Sequence, residues 1–289
     1  MAAENAGEHA MTSGGYIVHH LTQLQNATPK GLVDFSVFSY DSTFFATLLG
    51  VIACGVFWLA ARRVTSGVPG RFQAAVEIMV EMVDREAKSI VHNKQSRKFA
   101  APLALTLFVW ILLLNLMDLV PVDLLPLIWE KSWLAFGGSP HYAYLRVVPT
   151  ADLSIPLGSS VMVLLITLYY SIKIKGLGGW MHELFTAPFG NHWLLYPFNF
   201  AMQMIEFISK TFSHGMRLFG NMYAGELLFL LIALLGGAVT FSLTGAALAV
   251  GHIIAGTLWS IFDILVIVLQ AYIFMMLTLV YIGQAHDSH

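Results

Sequence analysis

An all-α membrane protein that crosses the bilayer several times is the fold class this sequence predicts. Three observations lead there. The chain is 57 % hydrophobic and only 11 % charged, whereas soluble domains carry about a quarter charged residues. Its mean hydropathy is +0.71. Its apolar residues fall into separate runs near or beyond the ~18–20 needed to cross a hydrocarbon core. The near-neutral net charge of −2 says nothing about partners.

The elements follow in order. Residues 1–40 are polar and predict an extracytoplasmic segment; no basic stretch leads directly into an apolar core, so no cleavable signal peptide is expected. A single membrane domain is expected over 41–284. Its five spans are 43–61, 101–120, 153–172, a fourth from Pro197 to the Gly236-Gly237 break, and a fifth from about Ala246 to Ile282. Residues 61–99 form a loop in which "GVPG" (67–70) is a turn and 71–91 an amphipathic helix. Phe72, Val76, Val80, Val83 and Ala87 make one face of that helix, and Glu77, Glu81, Asp84 and Lys88 another. Such a helix is expected to lie on the membrane surface. Residues 285–289 form a short tail. Cys54 is the only cysteine and lies in a span, which leaves no disulfide framework.

Basic residues set the orientation. Arg62, Arg63, Arg71, Arg85, Lys88, Lys94, Arg97 and Lys98 crowd the loop after span one, which belongs in the cytoplasm. Lys30 is the single basic residue before span one, so the N-terminus belongs outside. Five spans then put the C-terminus inside, and Lys173 and Lys175 after span three fall on the same side.

Spans four and five are longer than a crossing requires. Residues 198–235 would make a helix of ~57 Å against a core of ~30 Å. Steep tilt accommodates the excess. Two tilted neighbours make a broad wall suited to a large curved partner.

Polar residues mark these two spans. Glu206, Lys210, Ser213, Arg217 and Asn221 fall near one stripe of span four at 100° per residue. Glu226 lies about 180° round from Arg217. Along the axis, Glu206 is ~16 Å to one side of Arg217 and Glu226 ~13 Å to the other. On span five, His252, Asp263, Gln270 and Tyr281 return to one face, and such a stripe should face protein or water rather than lipid. An ionised arginine at mid-membrane costs ~2.5–3.5 kcal/mol on insertion scales. Serine or asparagine would serve a packing role at less cost, so Arg217 points to function, as do Glu226 and Asp263. A pairing of Arg217 with a carboxylate that pins two helices is the structural alternative. His252 and His214 read first as satisfied core histidines and second as members of a proton path. Asp118, Asp123 and Asp152 flank the outer ends of spans two and three. They read equally as interfacial caps or as the mouth of a water-filled path.

Other chemistries lack their motifs. "GLGGW" (176–180) is not a phosphate loop, and neither a Walker sequence nor H-E-x-x-H occurs. No matched histidine pair offers a haem site. No metal and no cofactor is expected.

The stretches "MRLFGNMYAGELLFLLIALL" (216–235) and "LQAYIFMMLTLVYI" (269–282) resemble the subunit a family of F-type rotary ATP synthases, bacterial members above all. "NLMDLVPVDLLP" (115–126), "YSIKIKGLGGW" (170–180) and "TSGVPGRFQ" (65–73) match as well, in order, over nearly everything from about residue 35 onward. The resemblance implies a non-catalytic stator subunit in the bacterial inner membrane. It implies a rotating c-ring with lipid-facing carboxylates, a subunit b stalk and an F1 sector as partners, with protons as cargo and no nucleic acid. It places the family's essential arginine at Arg217. It places an outer half-channel at Asn221, Glu226, Asp263 and Gln270, to which Asp118, Asp123, Asp152 and His252 are further candidates. It places a cytoplasmic half-channel at Glu206, Lys210 and Ser213, with His214 a further candidate. The sequence departs from the family at Asp263, where many bacterial members carry histidine, and at His214, usually an apolar position. Glu226 and Asp263 are expected to lie together as a pair of acids that presents no fixed positive charge. Two other classes remain beside this one: a cation/proton antiporter, for which no internal repeat is visible, and a purely structural anchor, which leaves Arg217, Glu226 and Asp263 without a role.

Overall fold

The computed structural model describes residues 17, 21–22, 24–26, 36–65, 67–121, 124–137, 145–186, 189–190, 192–237, 239 and 242–285. Asp123 and most of the terminal segments lie outside these. Within them the chain forms seven α-helices: α1 (Tyr40–Arg62), α2 (Arg71–Ile90), α3 (Lys94–Leu116), α4 (Leu124–Ala135), α5 (Ser154–Thr186), α6 (Tyr196–Gly237) and α7 (Leu243–Gln284). Five of them, α1, α3, α5, α6 and α7, are long and apolar enough to cross a membrane, as the sequence predicts.

Local chemistry accounts for the helix ends. Asp41 stands in the first turn of α1 and Arg62 in its last, each opposing the helix dipole charge at its end. Asn93 caps α3 by accepting from the Gln95 amide at 2.8 Å, and Ser242 caps α7 by accepting from the Gly245 amide at 3.0 Å. A 3-10 turn, Met117–Leu119, finishes α3.

Three features depart from the sequence expectations. Span three does not stop at residue 172. The chain bends at Gly176, whose φ of +71° suits glycine, and coils on to Thr186. Lys175 reaches across the bend to both oxygens of Glu183 at 2.7 Å. The amphipathic helix α2 is docked on the bundle, against α3 and α7. Val76, Val83 and Ala87 are buried there, but Phe72 and Val80 are exposed. Its inward face therefore includes Met79, Met82 and Ile90, rotated from the face the periodicity suggested. Finally, α4 has no counterpart among the elements the sequence predicts. Its twelve residues are too few for a crossing, and none of them is buried.

The core is the seam between α3, α6 and α7. Ile111 and Leu114, Leu218 and Met222, and Ile267, Met275 and Leu279 are all but inaccessible there. Trp110 of α3 donates to the Ala46 carbonyl at 2.9 Å and so holds α1. Helices α5 and α6 meet where Gly215 faces Pro156 and Leu157; a Cβ at Gly215 would stand 3.1 Å from the Pro156 carbonyl oxygen.

Candidate functional site: a buried charge cluster behind an exposed arginine

Helix α6 carries two kinds of polar residue on opposite sides. Glu206, Ser213, Arg217 and Asn221 are exposed on its outer surface, with Lys210 half-buried. They interrupt an otherwise apolar exposed face that includes Ile205, Ile208, Phe212 and Leu228. Among the described residues the ion pairs are Lys88–Asp84, Arg146–Glu226, Lys175–Glu183 and Lys210–Glu206. Arg217 belongs to none of them, so no carboxylate among the described residues pairs with it.

On the opposite side of α6, nine residues on, Glu226 is buried. Its partner is Arg146, in the extended segment 145–148 that leads to the 3-10 turn Pro149–Ala151. The Arg146 Nε donates to both Glu226 oxygens at 3.2 Å, and Nη2 donates to Oε2 at 2.5 Å. Such a charge-assisted, two-nitrogen contact is stronger than a neutral hydrogen bond and fixes the carboxylate's orientation. The Arg146 amide donates to Asp41 Oδ2 at 3.2 Å, and its guanidinium lies 5.6 Å from the Tyr223 ring centroid. The expectation of an acid pair without fixed positive charge is therefore corrected: a buried guanidinium sits among the acids. Arg146 lies outside every apolar run, so hydropathy and helical spacing gave no sign of it.

Beside Glu226, Gly225 lets two further acids close in. A Cβ there would stand 2.8 Å from Asp118 Oδ2 and 3.6 Å from Asp263 Oδ1. Asp118, Asp263 and Gln270 are all buried. The Oδ2 atoms of Asp118 and Asp263 lack a hydrogen-bond partner, an arrangement that static structural side chains rarely keep. Asn115, one turn before Asp118, is likewise buried with an unpartnered amide. A cavity of about 30 Å³ touches Asp118, Arg146 and Glu226, enough for a water or two. Among the described residues no three histidine, cysteine or carboxylate side chains are arranged to hold a metal ion.

The remaining candidates separate. Asp152 caps α5, its Oδ1 accepting from the Ser154 amide at 3.0 Å and from its hydroxyl at 2.6 Å; its Oδ2 is buried without a partner. His252, half-buried, donates through Nδ1 to the Ile232 carbonyl at 2.8 Å and so ties α7 to α6. His214 packs on Phe274 at 3.8 Å between ring centroids, and its Nε2 has no partner. Asn221 is exposed, on the other side of α6 from the buried acids. At the opposite end of the bundle a cavity of about 1010 Å³ is lined by Glu206, Lys210, Gln203, Tyr281 and the Lys175–Glu183 pair. Lys210 bonds Glu206 at 2.6 Å and Gln284 at 3.1 Å across this wall. Ser213 and His214 are not part of it. Lys175 and Glu183 reach it because the bend at Gly176 lies between them.

The profile of a family described as ATP synthase A chain matches residues 43–283. This chain belongs to that family. Over its whole length it is 63 % identical to the ATP synthase subunit a of Paracidovorax citrulli, each chain covered in full. It is 62 % identical to that of an Acidovorax strain, over 98 % of this chain and 99 % of the relative. Identity to the Psychrobacter cryohalolentis subunit a is 43 %, with the same coverage. The antiporter reading finds no support among these relatives. In this chain the exposed Arg217 and the buried Glu226 share one 42-residue helix, while Asp118 and Asp263 reach it from the turn after α3 and from α7.

Proposed function

We propose that the chain is the proton-conducting stator subunit of an F-type ATP synthase membrane sector. In this reading it sits in the bacterial inner membrane with the N-terminus periplasmic and the C-terminus cytoplasmic. A c-ring turns against α6 and α7, and a subunit b stalk and F1 sector complete the complex. The chain itself catalyses nothing.

The observation that carries the reading is Arg217: a charge without a carboxylate partner among the described residues, exposed midway along an apolar helix face. A partner acid on the facing surface would supply its counter-charge. A ring carboxylate in lipid keeps its proton because burial disfavours the charged form, and beside a guanidinium the charged form is favoured. The acid therefore unloads on one side of Arg217 and reloads on the other. Asp118, Asp263 and Glu226 form the outer path, and the cavity at Glu206 and Lys210 forms the cytoplasmic one. A guanidinium does not release its proton at any working pH, so Arg217 also keeps the two paths from joining. One charge crossing 100 mV releases ~2.3 kcal/mol, which rotation delivers to the soluble head.

The test is purification of the tagged chain from its membranes, followed by proton flux through membranes stripped of the soluble head. Recovery with a c-ring and an ATPase head, together with flux that Arg217 variants alter, is expected. A chain that purifies alone, or flux indifferent to Arg217, refutes the reading.

A further inference from the structure

We infer that Arg146 is a positioning residue of the outer proton path, whose guanidinium fork holds the Glu226 carboxylate at the wall of the small cavity shared with Asp118. The inference rests on the proton-path reading above.

Geometry carries it. The fork meets Glu226 through two nitrogens, and the same two residues line the 30 Å³ cavity together with Asp118. Asp118 and Asp263 stand against Gly225, the residue before Glu226 on the same helix. Fixing Glu226 therefore fixes its distance to both. A purely mechanical role explains less. Segment 145–148 is already tied to α1 by the Arg146 amide on Asp41, an acid that also accepts from the Leu24 and Ser42 amides at 3.0 and 2.8 Å. Val148 is buried in the core as well. The segment keeps its place without the Arg146 side chain. A buried ion pair contributes little net stability compared with an apolar pair, so packing gives no reason to place an arginine there. Tyr223 and Asp41 are the other polar groups holding the arginine.

The complete complex in membrane vesicles tests this with Arg146→Lys and Arg146→Gln. Lysine keeps the charge but touches Glu226 at one point, so flux per assembled complex falls about threefold to tenfold. Glutamine removes the charge and lowers flux further. Complex recovered on purification stays at the wild-type level for Arg146→Lys. If Arg146→Gln does not assemble, Arg146→Lys decides alone. Wild-type flux in Arg146→Lys, or a loss no greater than the loss of assembled complex, overturns the inference. Wild-type membranes that conduct no protons would instead overturn the function on which it rests.

Discussion

Alanine at Gly225 should slow proton conduction while leaving the fold nearly intact. The new Cβ would stand 2.8 Å from Asp118 Oδ2 and 3.6 Å from Asp263 Oδ1. A comfortable C···O separation is about 3.3–3.6 Å, so Asp118 must retreat by roughly 0.5–0.8 Å. Its stem is short and its surroundings buried, which leaves only rotation of the carboxylate or a shift of the turn that bears it. Overpacking of this kind costs about 1–3 kcal/mol. The helix recovers ~1 kcal/mol when glycine becomes alanine. The net loss is then about 0–2 kcal/mol, too small to prevent assembly. Displacement of an acting group by ~1 Å, in contrast, costs on the order of a hundredfold in rate. Passive flux through stripped membranes, normalised to assembled complex, should therefore fall tenfold or more on this scale. Gly158→Ala is the control, since a Cβ there meets nothing within 4 Å. Equal flux in Gly225→Ala and Gly158→Ala would refute the idea that Asp118 and Asp263 act together around Gly225.

Other outcomes are expected. Arg217→Lys keeps the charge yet abolishes coupled ATP synthesis, because an ammonium can give up a proton where a guanidinium does not; normal ATP-driven pumping in mutant membranes would contradict this. Asp263→Leu slows passive flux at every pH between 5 and 9, whereas Asp263→His assembles and changes the shape of the flux–pH curve; curves that superimpose on wild type would return Asp263 to a structural role. Gly215→Ala is the destabilising counterpart of Gly225→Ala. Its Cβ would meet Leu157 Cδ2 at 2.9 Å, the Pro156 carbonyl oxygen at 3.1 Å and Leu157 Cα at 3.2 Å. Backbone atoms cannot swing aside, so α5 and α6 must part, at a cost of about 1–3 kcal/mol, read as a lower melting temperature of the purified complex. An unchanged melting temperature would show that the two helices slide freely.

The sequence by itself determined the class, the five spans, the stripe through Arg217 and the inward stripe of α7. Each of these is a property of one segment: hydrophobic run length and helical period are local and survive without knowing the neighbours. Asp263 and Gln270 are buried on α7, as a polar stripe in an apolar helix requires. The tertiary structure decided which residues meet. It paired Glu226 with Arg146, eighty positions away, and set Asp118 against Gly225, neither of which any periodicity encodes. It gave His252 the Ile232 carbonyl as a partner. It also turned α5 at Gly176, so that Lys175 and Glu183 close on one another. The reason is the same each time. In a low-dielectric interior a polar group must find its partner wherever the packing brings one. That partner is chosen by the three-dimensional contact between segments, which the spacing within any one of them does not contain.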